Sequence, residues 1–169
     1  MATTEGGTNG GARARFAFMV LSAVLCMAII LASGLEWGSL SVRRSLVVSE
    51  PGTSQWQGVV ALIAAIVGLL VIGFAIARGR GRIAALAALG TGVVVTVVAV
   101  AELVHLVTRP SDIAEVVKAG AKAIDLRGYR VPLIESGVGP GTWIALTAGA
   151  LLVLAGLLGV IIPAWRARR

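Results

Sequence analysis

Four uninterrupted apolar runs set the terms on which this chain can fold. Phe16–Leu35, Gly58–Ala77, Ile83–Val107 and Thr142–Ile162 each hold at least 20 residues. A helix rises about 1.5 Å per residue, so about 20 residues cross a hydrocarbon core about 30 Å thick. Hydrocarbon offers no water to an unpaired amide, and a helix closes its backbone hydrogen bonds within its own segment. Only Glu102 and His105 are ionisable within the four runs. Across the chain 57% of residues are apolar and 14% charged, with a mean hydropathy of +0.94. A soluble domain is about 45–50% apolar and about 25% charged. The sequence therefore predicts an all-α membrane protein, a four-transmembrane-helix bundle. Its spans are 16–35, 58–77, 83–107 and 142–162, within one domain over 16–162.

The flanks are polar. Residues 1–15 are rich in Gly and Thr and are expected to form a disordered tail; residues 163–169 form a basic one. Arg13, Arg15 and the small residues Ala32, Ser33 and Gly34 also fit a cleaved signal peptide, but the run is longer than most signal cores. The lone Cys26 excludes an intrachain disulfide. Bulky Leu25 before it and the apolar run after it argue against a lipid-modified anchor, so it reads as a small apolar side chain. Only five residues, Arg78–Arg82, join spans two and three, which makes those spans antiparallel neighbours. Small residues recur four apart: Ala61 with Ala65, Ala64 with Gly68, Ala84 with Ala88 and Gly92, Ala145 with Gly149, Ala155 with Gly159. Such pairs let helix backbones approach closely. Gly68, Gly92, Gly149 and Gly159 are the expected helix-packing positions.

The two longer loops look folded. In loop 36–57, Ser39–Val48 alternates in the manner of a short strand, and Pro51-Gly52 signals a turn. Trp37 and Trp56 bracket this loop, Trp143 opens span four and Trp165 follows it. Indoles favour the headgroup level, so these four are expected as interfacial anchors. In loop 108–141, Asp112 and Glu115 fit a capping box. Ile113, Val116, Val117, Ala121 and Ile124 then share one helical face, and Glu115, Lys118, Lys122 and Asp125 largely share the other. This predicts a separate amphipathic helix ending at Gly128. Its apolar face lacks Trp or Phe to hold it in lipid, so docking on the loop-one strand is favoured. Tyr129–Ile134 is expected as a second short strand, confined to an edge by Pro132. Together the two loops form a small extracytoplasmic cap of short strands plus one amphipathic helix.

A net charge of +7 and a pI of about 11.3 would suggest nucleic acid for a soluble protein. Here the arginines cluster beside apolar runs, which is how membrane orientation is written, and no nucleic-acid partner is expected. With the N-terminus inside, eight basic residues are cytoplasmic and seven lie outside. The tally nearly ties. The inner ones, however, are packed into very short segments against span ends, and of the acidic residues in the loops and tails only Glu5 joins them. The expected location is the plasma membrane, multi-pass, with both termini cytoplasmic.

Glu102 and His105 lie three apart in the outer third of span three. An ionisable residue inside a span is a functional-site hypothesis by default. Glu-x-x-His also ligates paired metals in helical bundles, but that use needs a second such motif and more carboxylates. The chain has one histidine, so no metal centre and no cofactor are expected. Structural pairing of Glu102 with Arg43, Arg44 or Arg109 is favoured over a partner contact or proton relay. No nucleophile elbow, phosphate loop, cysteine pair or histidine cluster occurs, and no enzymatic activity is expected. Gly79 and Gly81 between arginines resemble a phosphate cradle loosely, and a tight positive turn explains them. Beyond Ser22, Ser33, Thr91, Thr96 and Thr147 the spans offer little to line an aqueous path, which argues against a monomeric transporter.

Trp37 after span one, the strand-like loop, Trp56-Gln57-Gly58 opening span two, the arginine turn, Trp143 with Gly149 in span four, and Trp165 before a basic tail form one layout. It resembles that of the small four-span tryptophan-associated membrane proteins common in actinobacteria. The single Asn, the two Lys and the abundance of Ala, Gly, Val and Arg suit a GC-rich bacterial genome. The resemblance implies an accessory role and no catalytic residues. The functional expectation is a non-enzymatic accessory or scaffold subunit of a plasma-membrane complex serving transport or cell-envelope assembly. Its partners would be the lipid bilayer, other membrane-protein subunits and, as an option, a lipid ligand. The alternative is a homo-oligomeric, holin-like pore.

Overall fold

The computed structural model describes residues 9–42, 46–123 and 134–166. Four long helices carry the fold: α1 (Asn9–Gly34), α2 (Trp56–Ala77), α3 (Gly81–Ala123) and α4 (Pro140–Arg166). Each is long and apolar enough to cross a membrane, over Phe16–Gly34, Trp56–Ala77, Gly81–Thr108 and Pro140–Ile161. The chain is a multi-pass membrane protein built on a four-helix bundle. Fewer than half of the residues along each span are buried, and Leu31, Leu70, Val97 and Leu154 are among those that face outward.

The helices form a closed ring in chain order, each packed on its two neighbours, with the broadest contact between α3 and α4. There the backbones nearly touch. A Cβ added to Gly156 would lie 2.6 Å from the Leu89 amide nitrogen, and one on Gly92 would lie 2.6 Å from that of Val153. A Cβ on Gly149 would come within 2.8 Å of Thr96 Oγ1, and one on Gly159 within 2.8 Å of Ala85 Cβ. Gly68 meets Thr91 across the α2–α3 interface. The interior is otherwise filled by small or branched apolar side chains, among them Ala61, Ala65, Ala88, Val95, Ala99 and Leu152.

The turn from α2 to α3 is closed by hydrogen bonds that its sequence dictates. The Arg80 amide donates to the Ala75 carbonyl (2.7 Å) and the Gly79 amide to that of Ile76 (2.9 Å). This is a Schellman pair, which needs a left-handed residue after the helix. Gly79 supplies it, at φ +69°. The Arg80 carbonyl then accepts the amides of Ile83 and Ala84 and starts α3.

At the opposite end lies a three-stranded antiparallel sheet in the order β2–β1–β3, with β1 at Glu36–Val42, β2 at Leu46–Pro51 and β3 at Ile134–Val138. Leu40 pairs with Val48 on one side and Ser136 on the other. The expected single strand over Ser39–Val48 is thus two strands, which extend beyond it at both ends. Of the strand expected over Tyr129–Ile134, only Ile134 lies within the described residues, and it opens β3.

Two further expectations change. Helix α1 begins at Asn9, inside the tail expected to be disordered, where Ala12, Arg13, Ala14 and Arg15 are good helix formers. The amphipathic helix is not a separate element. Helix α3 runs unbroken through Pro110 to Ala123. Proline removes one amide from the ladder, and in the turn before it Thr108 donates to the carbonyls of Val104 (3.2 Å) and His105 (3.1 Å). The two edges of β1 are paired with β2 and β3, and α3 packs against β3. The expected helix end at Gly128 lies outside the described residues.

The α3–α4 contact makes a direct prediction. Gly156→Ala forces a Cβ against backbone and should destabilise the bundle by about 1–3 kcal/mol, the usual cost of overpacking. Gly73→Ala meets nothing within 4 Å and should be neutral or stabilising, by up to about 1 kcal/mol, because Ala is the better helix former. Thermal melting of both variants in one detergent checks the contrast.

Candidate functional site

Two features stand out where the sheet meets the bundle: a buried indole and a buried carboxylate.

The indole belongs to Trp37. In the β1–β2 ladder Glu36 pairs with Pro51 and Gly38 with Glu50, leaving Trp37 as a bulged residue. A bulge re-aims a side chain out of the sheet's alternation, and here the indole is fully buried. Its Nε1 donates to the Ala32 carbonyl near the end of α1 (2.8 Å). Its own carbonyl accepts two donors from the start of α4, the Gly139 amide (2.9 Å) and the Thr142 hydroxyl (2.8 Å). The absence of a side chain at Gly52 and Gly141 makes the slot. A Cβ on Gly141 would lie 2.6 Å from Trp37 Cδ1, and Gly52 abuts the same ring. Gly58, in the first turn of α2, packs on the Gly52 backbone. One side chain therefore ties together α1, the turn before α2, β1 and α4.

This corrects the expectation for Trp37, which is not an interfacial anchor. An indole at a span end normally seeks the headgroup level because one edge is polar. Here the polar edge finds a carbonyl inside the protein. Trp56 and Trp143 remain on the outside, 64% and 50% exposed. The Trp165 side chain lies outside the described residues.

The carboxylate is Glu102, also fully buried, and it is not without a partner. Val95, Val98, Ala99, Glu102 and Leu106 form the inward arc of α3. Leu106 lies under the sheet, where a Cβ on Gly38 would approach its Cδ2 to 2.5 Å. His105 is exposed. Three residues turn a helix by about 300°, so His105 sits about 60° around from Glu102, on the lipid side of the arc. The structure separates the two residues that their spacing suggested as a pair. Among the described residues no group of three or more His, Cys, Asp or Glu could hold a metal. Arg43 and Arg44 lie outside the described residues. Arg109 lies on α3, with its side chain outside them.

Sequence reasoning missed the bulge, the slot glycines Gly52 and Gly141, and the α4 contact glycine Gly156. No family model matches the chain, and no curated protein matches it either.

Trp37→Ala should cost about 3–5 kcal/mol, as for a fully buried aromatic. Trp37→Phe keeps most of the buried area but leaves the Ala32 carbonyl without its indole donor, and should cost about 1–3 kcal/mol. Melting in detergent checks both, and equal stability of Trp37→Ala and the parent would refute the lock.

Proposed function

We propose that this protein is a non-enzymatic accessory or scaffold subunit of a plasma-membrane complex, with both termini cytoplasmic and the sheet on the outer side. One observation carries the reading. Helix α3 has 43 residues, of which 28 form its span. The remaining 15, beyond Thr108, carry the same helix about 22 Å past its span at about 1.5 Å per residue. A helix continuous from bilayer to aqueous phase is a stiff post, and a post fixed beside a sheet suits the presentation of a surface to another protein.

Three further points support it. The arginines packed against span ends favour the stated orientation. The layout resembles that of the tryptophan-associated membrane proteins, for which an accessory role is the implication. The bundle interior is filled by Ala, Gly and branched side chains, leaving little polar surface to line a pore within one copy.

The test is isolation of a tagged full-length chain in mild detergent, with mass-spectrometric identification of stoichiometric companions. A membrane-protein partner is expected. Lys118→Glu with Lys122→Glu, on the extension of α3, should release that partner without changing the melting temperature. A monodisperse monomer with no companion would contradict the proposal, and a homo-oligomer that conducts in liposomes would favour the pore. Glu102→Gln should lower stability by about 1–3 kcal/mol, the cost of weakening a buried polar interaction, without changing topology. Unchanged melting and unchanged co-purification would remove any role for that carboxylate.

A further inference from the structure

The two ends of the bundle differ sharply in charge. Of the eight acidic residues in the sequence, Glu36, Glu50, Asp112, Glu115 and Glu135 lie on the strands and on the extension of α3 at the sheet end, and Glu102 lies in the same half of the bundle; Glu5 and Asp125 are outside the described residues. No described residue at the opposite end is acidic. That end carries Arg78, Arg80 and Arg82 on the α2–α3 turn and Arg13 on the neighbouring α1, all four exposed. Because α2 leaves its span at Ala77 and α3 enters its own at Gly81, the turn sits at the level where hydrocarbon gives way to headgroups.

We propose that the α2–α3 turn is a binding site for the headgroups of anionic phospholipids. Three properties distinguish it from a loose run of charge. Its backbone is fixed, by the Schellman pair and the left-handed Gly79, so the three arginines leave from one rigid platform. The Arg78 guanidinium lies over the Phe74 ring, 4.0 Å from its centroid. Phe74 is itself exposed to lipid, so this stack holds a cation at the acyl–headgroup boundary, where a phosphodiester sits. Gly79 and Gly81 have open space where a side chain would be, leaving the approach clear. Guanidinium matches phosphate oxygens in a two-point fork, and each basic residue near an anionic surface strengthens binding about fivefold. A zwitterionic lipid offers the same phosphate together with a cation that the arginines repel. The site therefore selects net negative headgroups over phosphate alone.

The experiment incubates the delipidated full-length protein in detergent with an equimolar mixture of phosphatidylglycerol and phosphatidylcholine, re-isolates it and measures the retained lipids by mass spectrometry. Retained phosphatidylglycerol should exceed phosphatidylcholine by at least about tenfold, since three such charges together are worth on the order of a hundredfold. The ratio should fall towards unity in Arg78→Gln/Arg80→Gln/Arg82→Gln and fall by less in the corresponding triple Lys variant, which keeps the charge but loses the fork and the stack. It should also collapse for the unmodified protein at about 1 M salt, where the screening length is about 3 Å. A ratio near unity for the unmodified protein would overturn the proposal. So would a preference that survives either the triple Gln change or high salt. If the triple Gln variant does not fold, the single changes Arg80→Gln and Arg82→Gln at exposed side chains should each lower the ratio about fivefold, and an unchanged ratio in both would overturn the proposal.

Discussion

In hydrocarbon an apolar side chain gains little by turning inward, so a bundle is held by how closely its backbones approach and by the polar contacts they share. In this protein the closest approach is between α3 and α4. Gly92, Gly149 and Gly156 bring backbone against backbone, and the dispersion contacts that follow, each small, add up along the pair. Helix α2 is bound to α3 by the three-residue turn Arg78–Arg80, and α1 fills the gap between α2 and α4.

A bundle made this way is open at its ends, where helices diverge into loops. The sheet end is closed by Trp37. Its indole hydrogen-bonds α1 and its carbonyl hydrogen-bonds the start of α4, so two helices far apart in sequence are locked through one residue. Next to it, Gly38 of the same strand packs on Leu106 of α3. Packing and closure both rest on glycines placed where side chains would not fit.

How much of this was legible in the sequence depends on the range of each signal. The spans are local, since hydropathy over about 20 residues decides them; α2, α3 and α4 contain the expected runs whole, and α1 stops one residue short of its own, at Gly34. The packing glycines were legible only where a small residue stood four away. Gly156 has Leu152 and Val160 at that spacing, so it escaped, although it makes one of the tightest contacts. Trp37 was misplaced because its burial depends on a bulge in the β1–β2 register and on contacts with the start of α4 about 100 residues later. Pro110 and the Asp112 capping box signal a helix boundary locally, but no local signal says whether the next helix changes direction, and here it does not. The separation of Glu102 from His105 follows from where the inward arc of α3 ends, which is set by α2 and α4 and not by the spacing of the two residues.

The central claim is a bundle whose outer faces meet acyl chains while its inner faces do not. A photoactivated carbene probe dissolved in the acyl region, with adducts mapped residue by residue, tests this most directly. Labelling should fall on Leu31, Leu70, Val97 and Leu154, which face outward, and spare Ile29, Ala65, Val95 and Leu152, which are buried. Labelling of both sets alike, or of neither, would contradict the account.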